Sequence, residues 1–121
     1  MAPLNILVVD DDLELCRLLS RYLERQGYRV HSAGDALQAL DVLAREQVGL
    51  VITDYMMPHM DGVSFTEQIR ADPRYKNLPV IMMTAHPTDE LSERGLRKGV
   101  AMMLAKPIDF ERLLTLVRFA E

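Results

Sequence analysis

Residues 50–62 have the sequence LVITDYMMPHMDG, in which a short apolar run ends on an aspartate, Asp54. A loop containing Pro58 follows and closes on Asp61 and Gly62, a pair typical of turns and helix starts. An aspartate at the end of a buried strand is suited to bind a metal or to act as a nucleophile. The segment therefore predicts a strand whose carboxyl end carries chemistry.

Similar apolar runs recur along the chain and predict strands at residues 4–9, 29–33, 50–53, 80–84 and 102–105. Four of the five are apolar nearly throughout, which is typical of parallel strands covered on both faces. The amphipathic segments after them predict helices at residues 12–26, 36–46, 63–71, 89–98 and 109–120. Strand–helix units in this order predict a doubly wound α/β sandwich with its ligand site at the carboxyl ends of the strands.

Apolar residues at helical spacing indicate which face of each helix is buried. The expected buried residues are Leu15, Leu18, Leu19, Tyr22 and Leu23 in the first helix, Leu37, Leu40 and Leu43 in the second, Phe65 and Ile69 in the third, and Leu113, Leu116 and Val117 in the last. Cys16 is expected to fill the core, and Gly27 to end the first helix. The fourth helix is the weakest, because Gly95 interrupts a thin apolar stripe.

The bulk properties favour one compact domain over residues 1–121 in a reducing compartment, the cytoplasm. The net charge is −4, whereas nucleic-acid-binding surfaces are usually basic. A single cysteine allows no disulfide within the chain. Residues 1–5 lack the basic segment of a signal peptide, and no apolar run reaches the roughly 18–20 residues of a membrane span.

Polar residues follow the predicted strands where each one ends: Asp10 and Asp11, Asp54, Thr84, and Lys106. Because parallel strands share their carboxyl edge, we expect these side chains to form one pocket. Three neighbouring carboxylates repel one another and favour a hard cation such as Mg²⁺. A cation, a lysine, a hydroxyl and a free carboxylate together suit a phosphoryl group, which an aspartate oxygen can attack in line. We expect the Asp54 carboxylate to be open to solvent and within a metal's reach of the other two.

The chain resembles the receiver domains of two-component response regulators, of the chemotaxis type, over essentially its whole length. The resemblance rests on ILVVDDD at residues 6–12, DYMMPHMDG at 54–62, VIMMTA at 80–85 and KP at 106–107. It implies a flavodoxin-like sandwich of five helices and a five-stranded parallel sheet in the order 2-1-3-4-5.

The resemblance also implies how the acidic residues share the work. Asp54 would accept the phosphoryl group. Asp11 and Asp54 would bind Mg²⁺ or Mn²⁺ directly, together with the backbone carbonyl of Met56, and Asp10 would act through water.

The remaining motif residues would form the switch. Lys106 would contact the phosphoryl oxygens, Thr84 would turn inward to the phosphate, and Ala85 would leave room for it. The peptide bond before Pro107 would be cis. Three residues before the lysine the family often has an aromatic residue that moves with the threonine, whereas this chain has Met103.

Partners follow from the same resemblance. The donor would be a sensor histidine kinase or a histidine phosphotransfer protein, and the output a downstream protein target or a fused effector. The readout surface would be the fourth helix, fifth strand and fifth helix, the face through which a homodimer could form. Such a domain is a signalling phosphoacceptor with self-catalysed transfer and slow autodephosphorylation, with no nucleic-acid or membrane binding of its own.

Three alternatives stay open at this point. A haloacid-dehalogenase-type phosphatase would use Asp10 as nucleophile and Asp12 as second acid, but Glu14 stands where a small hydroxylic or β-branched residue is expected. A pseudo-receiver would bind partners without phosphorylation, although all the chemical residues are present. A flavin-binding domain would need glycine or hydroxylic residues where this chain has three aspartates.

Other polar residues have plainer expectations. His31, His59 and His86 lack ligand spacing, and the last two should lie at the pocket rim. Tyr55 should pack near or over the pocket mouth. The run Arg94, Arg97 and Lys98 should form a solvated helix face.

Overall fold

Strands and helices alternate along the computed structural model, which describes residues 4–121. The strands are β1 (Asn5–Val9), β2 (Arg29–Ala33), β3 (Leu50–Asp54), β4 (Val80–Thr84) and β5 (Met102–Ala105). The helices are α1 (Leu13–Arg25), α2 (Ala36–Arg45), α3 (Gly62–Ala71), α4 (Asp89–Arg97) and α5 (Phe110–Ala120). A 3₁₀ turn at Pro73–Tyr75, which the sequence did not suggest, separates α3 from β4.

All five strands are parallel and lie in the order β2-β1-β3-β4-β5. The register pairs Val9 with Thr53, Asp54 with Met83, and Thr84 with Ala105, so the carboxyl ends of the strands lie along one edge. The predicted doubly wound sheet and its strand order are confirmed.

Hydrophobic cores cover both faces of the sheet. Ile6 and Val8 of β1 belong to a core with buried residues of α1 and α5. Their neighbours Leu7 and Val9 belong to a second core with residues of α2 and α3. Successive residues of one strand thus face opposite helix layers, as expected for a three-layer sandwich.

Side-chain caps set where the helices begin. The side chains of Asp12, Asp35, Asp61, Thr88 and Asp109 each accept a hydrogen bond from a backbone N–H in the first turn of the helix that follows. Such capping residues are not themselves helical, so the predicted starts at residues 12 and 109 came one residue early. Gly27, with φ of 97°, follows the end of α1 in the left-handed conformation that favours glycine.

The predicted buried faces of α1 and α2 were partly wrong. Leu18 is 47% exposed and Leu37 is 61% exposed. The face of each helix that packs on the sheet is rotated about the helix axis from the predicted one. Small residues face inward instead, namely Cys16 of α1 and the alanines of α2. The buried residues are Cys16, Leu19 and Leu23 in α1, and Ala36, Ala39, Val42 and Leu43 in α2.

The fourth helix is lightly packed, as its sequence suggested. Its buried residues are Leu91 and Gly95, while Leu96 is 70% exposed. These two residues give α4 little apolar anchorage compared with the other helices. Separately, none of the helices within residues 4–121 has the length and apolar character needed to cross a bilayer.

Candidate functional site

Backbone hydrogen bonds extend the sheet one residue past three of its strands. The amide of Asp10 donates to the Ala33 carbonyl at 3.1 Å, and that of Lys106 to the Thr84 carbonyl at 2.8 Å. The amide of Tyr55 donates to the Met83 carbonyl at 2.8 Å. The residues that leave β1, β3 and β5 are therefore held in the register of the sheet.

Three carboxylates converge at this edge. Asp10, Asp11 and Asp54 each present one oxygen, and these oxygens lie within 4.8 Å of one another. Asp10 and Asp54 are buried, whereas Asp11 is exposed. A set of oxygen donors at this spacing, open on the Asp11 side, fits a hard divalent cation that keeps part of its water shell.

Lys106 bridges the two buried carboxylates. Its Nζ lies 2.9 Å from Oδ2 of Asp10 and 3.2 Å from Oδ1 of Asp54. The exposed fractions of the side chains are 22% for Lys106, 1% for Asp10 and 9% for Asp54. One ammonium group thus compensates part of the negative charge of the pocket.

The ionisation of this pocket follows from burial and charge. Burial, followed by the charge of Asp10, raises the pKa of Asp54, and the contacts of Lys106 oppose that rise without cancelling it. Burial lowers the pKa of Lys106, but the hydrogen bond and charge of Asp10, with those of Asp54, outweigh it and leave that pKa raised. The charged form of Asp54 is therefore disfavoured in the metal-free pocket.

The expectation that Asp54 lies open to solvent was wrong. Its side chain keeps only 9% of its surface exposed, because β3 continues one residue further than predicted and Lys106 lies against its Oδ1. The second expectation, that Asp54 lies within a metal's reach of Asp10 and Asp11, agrees with the observed cluster.

The predicted switch residues occupy the ends of the next two strands. Thr84 is 3% exposed, and its Oγ1 accepts a hydrogen bond from the amide of His86 at 3.2 Å. Ala85 is exposed, and the peptide bond between Lys106 and Pro107 is cis. Met103 is half-buried beside a small core cluster.

The loop after β3 connects Asp54 to the start of α3. Met56 has a side chain that is 69% exposed, and its backbone carbonyl remains a predicted metal ligand. His59 is exposed and adopts φ of 71°, a conformation uncommon outside glycine. A Cβ atom added at Gly62 would overlap the backbone carbonyl oxygen of Asp54, so only glycine fits at this start of α3. The Asp-Gly motif indicated the turn but not this close approach.

Cys16 lies beneath the pocket rather than in it. Its Sγ donates to the backbone carbonyl of Asp10 at 3.3 Å. Burial, then the charge of Asp10, raises the pKa of this thiol to about 11. The group stays a neutral thiol, which agrees with its predicted role as core filler.

Sequence reasoning missed a polar bridge beside the pocket. Nη1 of Arg94 donates to the Tyr55 hydroxyl at 3.4 Å, and Nη2 lies 3.6 Å from Oδ2 of Asp61. Lys98 forms an ion pair with Glu67 at 2.9 Å. The expected solvated face agrees with the exposure of Arg97 and Lys98, whereas Arg94 is half-buried and its long side chain reaches the start of α3.

Comparison with known proteins gives one consistent result. The family model described as response regulator receiver domain matches residues 6–118. The response regulator MprA of a Mycobacterium strain (KMS) is 40% identical over 118 residues, which cover 96% of this chain and 50% of that protein. The chain therefore spans about half the length of this relative.

Solved structures agree in fold. The chemotaxis protein CheY4 of Vibrio cholerae superposes with a TM-score of 0.95 at 30% identity, covering 99% of this chain and 100% of that one. A response regulator receiver protein from Pseudomonas putida gives a TM-score of 0.92 at 32% identity, with 98% of both chains covered.

Proposed function

The chain belongs to the response regulator receiver domains, and we propose on that basis that it accepts a phosphoryl group on Asp54. The observation that supports this most strongly is the approach of Lys106 Nζ to both Asp10 and Asp54. A cationic group held between two buried carboxylates is where the oxygens of a transferred phosphoryl group would find a partner. Asp54 suits the acceptor role better than Asp10, because its side chain at the end of β3 keeps 9% of its surface exposed, against 1% for Asp10.

Asp10 is less suited to be a nucleophile. Its carboxylate is 1% exposed and is occupied by Lys106 at 2.9 Å and by the amide of Asp12 at 2.9 Å. These contacts argue against the dehalogenase-type alternative, in which Asp10 would attack the substrate.

The acidic cluster would hold Mg²⁺ or Mn²⁺. Asp11 and Asp54 would bind directly with the Met56 backbone carbonyl, and Asp10 would act through a water molecule. The bound cation would supply charge neutralisation for the phosphoryl oxygens.

The transfer itself uses groups of this chain. An Asp54 carboxylate oxygen forms a bond to phosphorus while the bond from phosphorus to a donor imidazole nitrogen breaks. The electron pair of that bond stays on the imidazole. Lys106 donates a hydrogen bond to one phosphoryl oxygen, and Thr84 turns its hydroxyl toward another, into space that the small side chain of Ala85 leaves free.

The donor class is a phosphohistidine on a sensor kinase or phosphotransfer protein, and the output is a changed protein-binding surface. Movement of Thr84 and Lys106 alters β4 and β5, so the surface is α4, β5 and α5. A homodimer or a downstream target would use this face. The domain turns over no other substrate and loses its phosphoryl group slowly, and it works in the cytoplasm.

Intact-protein mass spectrometry tests the proposal. Incubation with acetyl phosphate and Mg²⁺ should add the mass of one phosphoryl group to the wild type and to Asp41→Asn, an exposed surface control on α2. Asp54→Asn should gain nothing, and EDTA should prevent the gain in the wild type. An unmodified wild type, or equal modification of Asp54→Asn, would refute the proposal.

A further inference from the structure

Tyr55, the residue next to the proposed acceptor, is fixed at its backbone on both sides. Its amide donates to the Met83 carbonyl of β4 at 2.8 Å, and its carbonyl accepts from the amide of Gly62 at 2.7 Å. The backbone of Tyr55 is therefore tied to the end of β3, to the end of β4 and to the start of α3, and a shift of any of them moves it.

The ring of Tyr55 points toward α4. It packs, with Met103, against a small core cluster of Val63, Met82, Leu91 and Val100. A cavity of about 230 Å³ lies beside the ring and is lined by Tyr55, His86, Thr88, Glu90, Leu91 and Arg94. The ring has room to move without displacing the core, and the flexible side chain of Met103 can follow it.

Arg94 connects this ring to α4 through the contacts with the Tyr55 hydroxyl and Asp61, which we call the Arg94 bridge. Both contacts are long, at 3.4 and 3.6 Å, and the Arg94 side chain is 40% exposed. Exposed pairs of this geometry are weak and break readily.

The carboxyl end of α4, directly after the turn that contains Arg94, is held more firmly. Arg70 of α3 donates through Nη2 to the Gly99 carbonyl at 2.8 Å and through Nη1 to the Tyr75 carbonyl at 2.8 Å. Lys98 adds its ion pair with Glu67 at 2.9 Å. The Arg94 bridge, which also starts from the last turn of α4, is thus the weaker of these polar connections of a lightly packed helix.

We propose that the Arg94 bridge couples the phosphoacceptor loop to α4. The aromatic residue that moves in this chain is Tyr55, because position 103 is a methionine. This inference rests on the proposed acceptance of a phosphoryl group by Asp54. Turning of Thr84 toward that group draws the end of β4 and residues 85–88, which lead into α4, toward the pocket. The displacement separates Arg94 from Tyr55 and Asp61, and α4 loses this connection to the acceptor loop and to the start of α3.

Hydrogen exchange of the α4 amides tests the coupling. Arg94→Met removes the guanidinium and keeps a long apolar side chain, and Arg97→Met makes the same change at an exposed position of α4. Without ligand, the hydrogen-bonded amides of α4 should exchange about fivefold faster in Arg94→Met than in the wild type, while those of Arg97→Met should match the wild type. Tyr55→Phe, which lacks the accepting hydroxyl, should show part of the increase.

Beryllofluoride with Mg²⁺, a mimic of the phosphoryl group, supplies the second arm. It should raise the exchange rate of the α4 amides about fivefold in the wild type, toward the rate of Arg94→Met. The exchange rate of Arg94→Met itself should change by less than about twofold. Fluorine NMR should show beryllofluoride bound equally well by both. Wild-type exchange rates in unliganded Arg94→Met, or an unreduced response to beryllofluoride, would overturn the coupling.

The two proposals fail differently. If the wild type does not bind beryllofluoride, the proposed function fails and the coupling to phosphorylation fails with it. If both proteins bind it and α4 responds identically in both, acceptance at Asp54 stands and the role of Arg94 is refuted.

Discussion

Replacing Lys106 with methionine would leave two buried carboxylates without their shared cation. Nζ lies 2.9 Å from Asp10 and 3.2 Å from Asp54, whose side chains are 1% and 9% exposed. Removing one partner of a buried ion pair costs about 3–5 kcal/mol. Because Lys106 is itself 22% exposed, we expect a loss near the lower limit.

The measurement is thermal unfolding in EDTA and in Mg²⁺. A loss of about 3 kcal/mol in EDTA corresponds to a fall of roughly 10 °C in Tm for a domain of this size. Mg²⁺ at about 100 times its Kd adds about 2.7 kcal/mol to the stability of a protein that binds it only when folded. Mg²⁺ should raise Tm more in Lys106→Met than in the wild type, because the variant has unbalanced carboxylates and no competing ammonium.

Lys98→Met is the matched control. Lys98 forms an equally short ion pair with Glu67, at 2.9 Å, but the two side chains are 46% and 58% exposed. A pair of this kind contributes about 0–1 kcal/mol, so the control should unfold near the wild-type temperature with the wild-type response to Mg²⁺. Equal Tm values for Lys106→Met and Lys98→Met in EDTA would refute the assigned role of Lys106, as would a Mg²⁺ response in Lys106→Met no larger than the wild type's.

Three further substitutions have defined outcomes in unfolding experiments. Asp54→Asn should be more stable than the metal-free wild type at neutral pH. Because the pKa of Asp54 is raised in the folded protein, the wild type loses stability as pH rises above the unfolded value of 3.8. The amide of the variant stays neutral and escapes this loss. His59→Val should lose about 1–2 kcal/mol, because a β-branched residue resists the φ of 71°, whereas His59→Gly should stay close to the wild type. Gly62→Ala should lose about 1–3 kcal/mol and bind Mg²⁺ more weakly, because the added methyl group displaces the Asp54 backbone.

Each of these has a result that would contradict it. The stability that Asp54→Asn gains over the wild type should shrink as pH falls toward 3.8 and should reverse in saturating Mg²⁺. A gain in stability that does not depend on pH would exclude ionisation of Asp54 as its cause. Equal melting of the two His59 variants would show that the backbone at this position is unstrained. Gly34→Ala is the control for Gly62→Ala, because its nearest neighbour is a Gln38 side-chain oxygen at 3.4 Å, and equal stability of the two would contradict the steric argument.

The apolar runs gave the sheet with little error because strands buried on both faces carry an uninterrupted signal. All five strands were predicted within one residue at each end, and the pocket at their carboxyl ends followed from parallel topology alone. The repulsion inferred from sequence did not distinguish the three carboxylates. The structure does, because Asp11 is exposed while Asp10 and Asp54 are buried beside Lys106.

The structural features that the sequence did not predict depend on the reach of long side chains and on how each helix is rotated about its axis. Leu18 and Leu37 fit a helical stripe as well as their buried neighbours do, and only contact with the sheet decides which leucines face it. The reach of Arg94 to Tyr55 spans 39 positions and carries no periodic signal. The low exposure of Asp54 likewise depends on Lys106, which follows β5 near the far end of the chain.

Chemical mapping of the modified residue tests the central claim most directly. Borohydride reduces an aspartyl phosphate to homoserine, and peptide sequencing by mass spectrometry then locates the converted residue. After treatment with acetyl phosphate and Mg²⁺, we predict homoserine at position 54. Homoserine at position 10 or 11 instead, or no conversion in a protein that does bind Mg²⁺, would contradict the account.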